Sequence, residues 1–200
     1  MKNQIIIMNF SHIYEWEITE KIPKDINWID CTQIAGTNCF CDEEAQKSIT
    51  DKMSDCAPEG IHLIDSGNYH YVSKFWTDKI NYPFSLLVFD HHTDMQSSAF
   101  GQMISCGNWI QQALETNPNL QKVCIVGPND KLINQINKAK YGSKLIFYSD
   151  DSLKSRENWN NFAQLHFKEP VYISIDKDVL NTHDAATNWD QGSMSLKTLK

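Results

Sequence analysis

Short apolar runs alternate with longer amphipathic stretches along the whole chain, and no Pro/Gly/Ser-rich linker or fixed-period repeat divides them. Ile5–Phe10 reads as a first strand, followed by Ile61–Asp65, Ser85–Asp90, Lys122–Gly127, Lys144–Tyr148 and Val171–Asp176. Ser85–Asp90 is apolar on both faces, the pattern of a strand covered from two sides. Asp42–Cys56, Tyr71–Lys79, Gly107–Glu115, Asp130–Lys140 and Leu153–Gln164 read as helices, and Ser195–Lys200 opens another. Asp42 suits an N-cap, with Glu43 and Glu44 on the positive end of the helix dipole. Asn117-Pro118 stops the helix before it. Strands separated by helices predict an α/β fold, three layers around a mainly parallel sheet, in a single domain over residues 1–200. Ligands in such folds bind beyond the carboxyl ends of the strands.

Composition narrows the function classes. Of 200 residues, 41% are hydrophobic and 11% aromatic, enough for a sizeable core. Lys and Arg number 18 against 25 Asp and Glu, a net charge of −7. That surface repels phosphate, so no nucleic-acid partner is expected. No apolar run approaches the roughly 20 residues of a membrane span, so no membrane partner is expected either. Met1–Phe10 is too short an apolar start for a signal peptide. The six cysteines are therefore expected to be reduced thiols in the cytoplasm. Cys39-x-Cys41, with Cys31 and Cys56 nearby, lacks the paired spacing of a zinc knuckle.

The candidate chemistry lies just after three strands. Ile61–Asp65 leads to Ser66-Gly67-Asn68-Tyr69-His70, Ser85–Phe89 to Asp90-His91-His92-Thr93-Asp94, and Val171–Ile175 to Asp176-Lys177-Asp178. Four carboxylates gathered at one sheet edge repel; two like charges about 4 Å apart cost about 4 kcal/mol at an effective dielectric of ~20. Lys177 is the basic residue at hand, and on an extended chain it points away from Asp176 and Asp178. Two divalent cations would neutralise the cluster. Mixed aspartate oxygen and histidine nitrogen donors suit Mn²⁺, Fe²⁺ or Zn²⁺ better than Ca²⁺. The i, i+2 spacing of Asp90/His92 and Asp176/Asp178 predicts two ligands on one face of an extended chain. His91, between two ligand positions, is expected to point the other way.

These stretches resemble the arginase/agmatinase (ureohydrolase) family within the arginase–deacetylase fold. Its Gly-Gly-Asp-His-Ser-like, Asp-Ala-His-x-Asp and Ser-x-Asp-x-Asp motifs correspond to Gly67–Tyr71, Asp90–Asp94 and Ser174–Asp178, over about residues 60 to 180. The resemblance implies a metal-dependent hydrolase of linear C–N bonds in guanidino or amidino substrates, using a hydroxide bridging two Mn²⁺ per chain, with Zn, Fe or Co as other divalent occupants. It assigns His70, Asp90, Asp94 and Asp176 to one metal and Asp90, His92, Asp176 and Asp178 to the other, with Asp90 and Asp176 bridging. It gives Asp94 a second, catalytic role in orienting the nucleophile and passing a proton to the departing amine.

Cys106, in Cys106-Gly107, stands where the family has a proton-shuttling histidine. Asn108, Trp109, His183, Trp189 and Asp190 are the substrate-contact candidates, in the stretch after Cys106 and the loop after Asp178. The resemblance also implies a small-molecule substrate and association into homo-oligomers. A downstream family glutamate would fall beyond Lys200, so the chain is expected to be truncated. A metal-dependent amide deacetylase of the same fold and a non-catalytic metal-binding relative are the alternatives.

Overall fold

The computed structural model describes residues 4–17, 26–97, 101 and 103–200. In chain order its elements are β1 (Gln4–Asn9), α1 (Ile13–Glu17), β2 (Ile26–Asp30), β3 (Phe40–Cys41), α2 (Glu43–Lys52), β4 (Gly60–Ile64), α3 (Val72–Asp78), β5 (Phe84–Phe89), β6 (Ile104–Ser105) and α4 (Trp109–Thr116). There follow β7 (Leu120–Val126), α5 (Asp130–Ile133), β8 (Leu145–Tyr148), α6 (Arg156–Ala163), β9 (Val171–Ile175) and α7 (Leu196–Leu199). The chain falls into two compact units, residues 1–79 with 97–109, and residues 80–96 with 110–200.

The first unit holds a parallel sheet in the order β2-β1-β4 and a two-stranded antiparallel ribbon, β3-β6. Ile6, Ile7 and Met8 of β1 are fully buried, as befits its central place. Asp65, one residue past β4, is buried and accepts hydrogen bonds from the backbone N–H groups of Phe10 and Ser11, each at 2.8 Å. That carboxylate ties the carboxyl ends of β1 and β4 together. In α2 the Asp42 side chain accepts from Ala45 N at 2.8 Å, the cap expected of it.

The second unit is a four-stranded parallel sheet, β8-β7-β5-β9. Leu86, Val88, Val123 and Ile125 are buried on one face. On the other, Cys124 and Val126 form a cluster with Leu153, Val179, Leu180 and Met194, against which Phe89, Trp159 and Phe162 pack. Mainly parallel sheets with helices make this the expected α/β fold.

Several elements depart from the sequence reading. The helix expected over 130–140 is a four-residue α5 followed by a 3-10 turn at Lys138–Lys140. Asn134 is the C-cap of α5 and Asn137 precedes the 3-10 turn, in keeping with the low helix propensity of asparagine. The expectation that strands are covered on both faces fails at β9, which among the described residues pairs with β5 alone and leaves Ile173 56% and Ile175 52% exposed. Short α1, β2, β3 and β6 were not expected.

Candidate metal centre

Two neighbouring strands position the acidic residues. Register Phe89↔Ile175 between β5 and β9 puts the next residues, Asp90 and Asp176, side by side. Asp90 N donates to Val126 O at 3.1 Å and Asp176 N to Phe89 O at 2.8 Å, continuing the sheet ladder one step past the strands. A carboxylate oxygen of each lies within 4.8 Å of the other.

The i, i+2 pairs then meet in a way the sequence reading did not anticipate. Neither lies on extended chain. Asp90 Oδ1 accepts from His92 N at 2.6 Å, and Asp176 Oδ1 from Asp178 N at 3.1 Å. Each first aspartate thus closes a turn on the residue two ahead, a habit of short acidic side chains. The second turn runs into a 3-10 helix, Lys177–Val179, which buries Asp178 and leaves Lys177 in solvent.

Asp178 reaches back across the strand pair. Its Oδ1 accepts from His91 N at 3.0 Å, and its Oδ2 lies 2.9 Å from His92 Nδ1. His92 Nδ1 also lies 3.5 Å from Asp90 Oδ1. Asp90, His92 and Asp178 therefore each offer a ligand atom within 4.8 Å of the others'. Two buried carboxylates and an imidazole gathered this way fit a divalent first-row cation, which takes mixed oxygen and nitrogen donors.

Electrostatics in the metal-free protein show how the cluster is held. Burial works against a charged His92, but the bonds to Asp178 and Asp90 and their negative charges outweigh it and raise its pKa. Burial also raises Asp178, reinforced by the Asp90 and Asp176 charges and opposed by the bonds from His92 and from His91 N. The cluster therefore keeps a proton at neutral pH, and a cation must displace it. Metal binding is expected to release about one proton near pH 7, and the apparent affinity to keep rising with pH through neutrality, because the His92 pKa is raised to about 11. Titration calorimetry in buffers of different ionisation enthalpy measures the released proton. A proton count of zero, with pH-independent affinity, would contradict the assignment of His92 as a ligand.

The remaining candidates divide between the units. Asp94, in the second, is buried with φ +47°, a left-handed conformation uncommon for a residue with a Cβ. Its carbonyl accepts from Ile110 N at 3.1 Å and Gln111 N at 3.4 Å, and its carboxylate falls outside the Asp90–His92–Asp178 group. Trp189 stands edge-on to His92, ring centroids 5.7 Å apart and interplanar angle 75°. Its loop is pinned by Gln191 Nε2, which donates to Leu180 O at 3.0 Å and Ala185 O at 3.1 Å. His183 and Asp190 are exposed on the same loop.

In the first unit, His70 ends the 3-10 turn Gly67–Tyr69 and lies buried, its ring 4.9 Å from that of Trp109. Trp109 is fully buried. The Asn108 side chain accepts from Ser105 N at 2.8 Å and donates to Met103 O at 3.0 Å, so its amide holds the backbone after β6. Cys106 is half-buried beside β3, with its N–H donating to Cys39 O at 2.9 Å. Its partner in that bond, Cys39, enters the sequence reading only through the rejected zinc knuckle, because it lies far away along the chain. Residues Gly36, Thr37 and Asn38 line a cavity of about 320 Å³ with Phe40, Asp42 and Met103.

Parallel strands whose carboxyl ends carry an Asp–His–Asp cluster, its two carboxylates buried, define an α/β protein with a candidate metal centre. The arginase family matches residues 6–187, and the chain belongs to that family. An uncharacterized protein of Thermotoga maritima is 33% identical over 140 residues, covering 70% of this chain and 50% of that protein. The fold is similar to the crystal structure of formimidoylglutamase from Bacillus subtilis, with TM-score 0.60, 14% identity and coverage of 98% of this chain and 72% of the other. It is similar also to a quadruple mutant of a T. brucei arginase-like protein, with TM-score 0.57, 14% identity and coverage of 97% and 62%. The chain thus spans half the length of the curated relative it matches. No helix among the described residues is long and apolar enough to cross a membrane.

Proposed function

We infer that the protein is a metal-dependent hydrolase of a linear C–N bond in a guanidino or amidino substrate. The convergence of Asp90, His92 and Asp178 past two paired strands, in a chain of the arginase family, carries this reading. The formimidoyl group in the name of one structural neighbour is itself an amidine, the same class of carbon centre.

In this reading Asp90, His92, Asp176 and Asp178 hold one cation, and Asp90, Asp94, Asp176 and His70 a second, both Mn²⁺. Such a pair, when bound, would lower the pKa of a shared water and so supply a nucleophile near neutral pH. The chain's own groups do the rest. His91 N–H fixes Asp178 Oδ1, and His92 N–H fixes Asp90 Oδ1, so both carboxylates are oriented before any cation arrives. Asp94 carries the proton from the nucleophile to the departing nitrogen, with Cys106 as relay. The edge-on Trp189 walls the side of His92.

The test is release of urea or ammonia by Mn²⁺-loaded protein from guanidino and amidino compounds, run beside N-acetylated amines. Turnover of the first group is expected. Acetate release alone would establish a deacetylase, and no turnover of either by fully metallated protein would establish a non-catalytic relative. Cys106→His is expected to keep metal content and raise turnover on a guanidino compound, because imidazole titrates nearer neutrality than an ordinary thiol. Metal loss in Cys106→Ala would make Cys106 a ligand and refute its role as relay.

A further inference from the structure

The six cysteines stand as thiols but differ sharply in their surroundings. Burial pushes Cys31 up to about 11 and Cys41 and Cys124 up to about 12, so these stay protonated and unreactive at neutral pH. Cys56 is buried and takes a bond from Asn27 Nδ2 at 3.2 Å. Cys39 and Cys106 are the two that remain partly open to solvent.

The two lie next to each other along the backbone. The β3-β6 ribbon pairs Phe40 with Ser105 and Cys41 with Ile104. One step beyond it, where Cys39 leaves the extended conformation, Cys106 N donates to Cys39 O at 2.9 Å and keeps the two backbones together. Residues joined by such a bond in an antiparallel pair have Cα atoms about 5.5 Å apart. A disulfide takes Cα separations of about 4.4–6.8 Å. Cys39 is held at φ +60°, an uncommon conformation for a residue with a side chain, and its neighbours anchor it there. Asn68 Nδ2 donates to Asn38 Oδ1 at 2.8 Å, and the Tyr71 hydroxyl donates to Thr37 O at 2.7 Å. The cavity lined by Asn38, Phe40 and Met103 borders both segments and gives a small reagent room to approach.

We propose that Cys39 and Cys106 are a redox modification site, closing a reversible intramolecular disulfide by exchange with a low-molecular-weight disulfide. One protein thiolate attacks a sulfur of the small disulfide, forms a mixed disulfide and expels one small thiolate. The second protein thiolate attacks the protein-side sulfur of that mixed disulfide and expels the other. The two protons lost by the protein thiols go to the two released thiolates. The protein pair is oxidised by two electrons, and the small disulfide is reduced to two thiols. A bond so accessible belongs to the labile class, readily reversed by thiols. Its closure would take the exchangeable proton from Cys106 and clamp the 36–40 loop to β6. The inference stands on the backbone bond that joins Cys39 and Cys106 just past the ribbon and does not depend on which reaction the protein catalyses.

The native full chain is incubated with oxidised glutathione, quenched with acid, and mapped by peptide mass spectrometry under non-reducing conditions. Expected are two fewer titratable thiols than the six of the reduced chain, one Cys39–Cys106 cross-linked peptide pair, and full reversal by dithiothreitol. In Cys39→Ser the cross-link should vanish and glutathione should remain on Cys106. Glutathione persisting separately on both wild-type cysteines, a cross-link through any other cysteine, or a native chain that keeps all six thiols would each overturn the proposal.

Discussion

Asp90→Ala is expected to lose both metals, while His70→Ala loses one. Asp90 is buried, lies within 4.8 Å of ligand atoms on Asp176, His92 and Asp178, and fixes the His92 backbone through a 2.6 Å bond. In the proposed assignment it touches both cations, as does Asp176. Removing it deletes a negative charge that two dications share, so each is held less tightly and they repel each other more. Losing even an outer partner of a metal ligand costs about 10–100-fold in affinity, and losing a bridging ligand is expected to exceed the upper figure.

In the same proposed assignment His70 would be a neutral donor to one cation, and its loss would leave the bridges and the charge balance intact. Elemental analysis after Mn²⁺ loading should therefore find about two metals in wild type, about one in His70→Ala and close to none in Asp90→Ala or Asp176→Ala. Chelation should lower the melting temperature of wild type more than that of Asp90→Ala, in which fewer carboxylates are left to repel. The bridging assignment fails if His70→Ala empties both sites while Asp90→Ala keeps one fully occupied.

The parts of this arrangement legible in the sequence are those set by local pattern. Ser85–Phe89 announces a central strand because every position is apolar or small, and β5 is indeed flanked on both sides. Asp42 announces its helix because capping is a contact over three residues. The acidic motifs were placed correctly at strand ends, yet their local geometry was misread. An i, i+2 pair on extended chain and a turn closed by the first aspartate have the same spacing, and the hydrogen bond from His92 N or Asp178 N decides between them.

Burial at the edges was not legible either. Ile173 and Ile175 look like core residues in sequence, but β9 has one strand neighbour and its outer positions meet solvent. Contacts between segments far apart in sequence leave no local trace. Nothing in residues 39 or 106 alone reveals that a backbone bond joins them just past a two-stranded ribbon. Nothing around Asn108 reveals that its amide is engaged by the backbone of Met103 and Ser105.

Gly127→Ala is expected to damage both stability and metal binding, through a contact rather than through any lost chemistry. Gly127 follows β7 with φ +103°, and its N–H donates to Tyr148 O at 2.8 Å, so the backbone there is held in a conformation that L side chains rarely adopt. A Cβ would stand 2.5 Å from Val179 Cγ2 and 3.1 Å from the Asp90 carbonyl oxygen. Val179 belongs to the 3-10 turn that carries Asp178, so the added methyl pushes on the backbone of one proposed ligand, Asp90, and on the side chain next to another, Asp178. Backbone strain at such a φ costs about 1–3 kcal/mol. Overpacking adds about 1–3 kcal/mol more. Together they put the loss at about 2–6 kcal/mol, which for a chain of this size lowers the melting temperature by on the order of 10 °C.

Gly142 supplies the control. It too has positive φ, +54°, but a Cβ there meets nothing within 4 Å. Gly142→Ala should therefore cost about 1–2 kcal/mol for the left-handed backbone alone, and leave Mn²⁺ affinity unchanged. Thermal melts and metal titrations of the two variants separate the effects. If Gly127→Ala melts with Gly142→Ala and binds Mn²⁺ like wild type, the close approach of Gly127 to Asp90 and Val179 does not govern the metal centre.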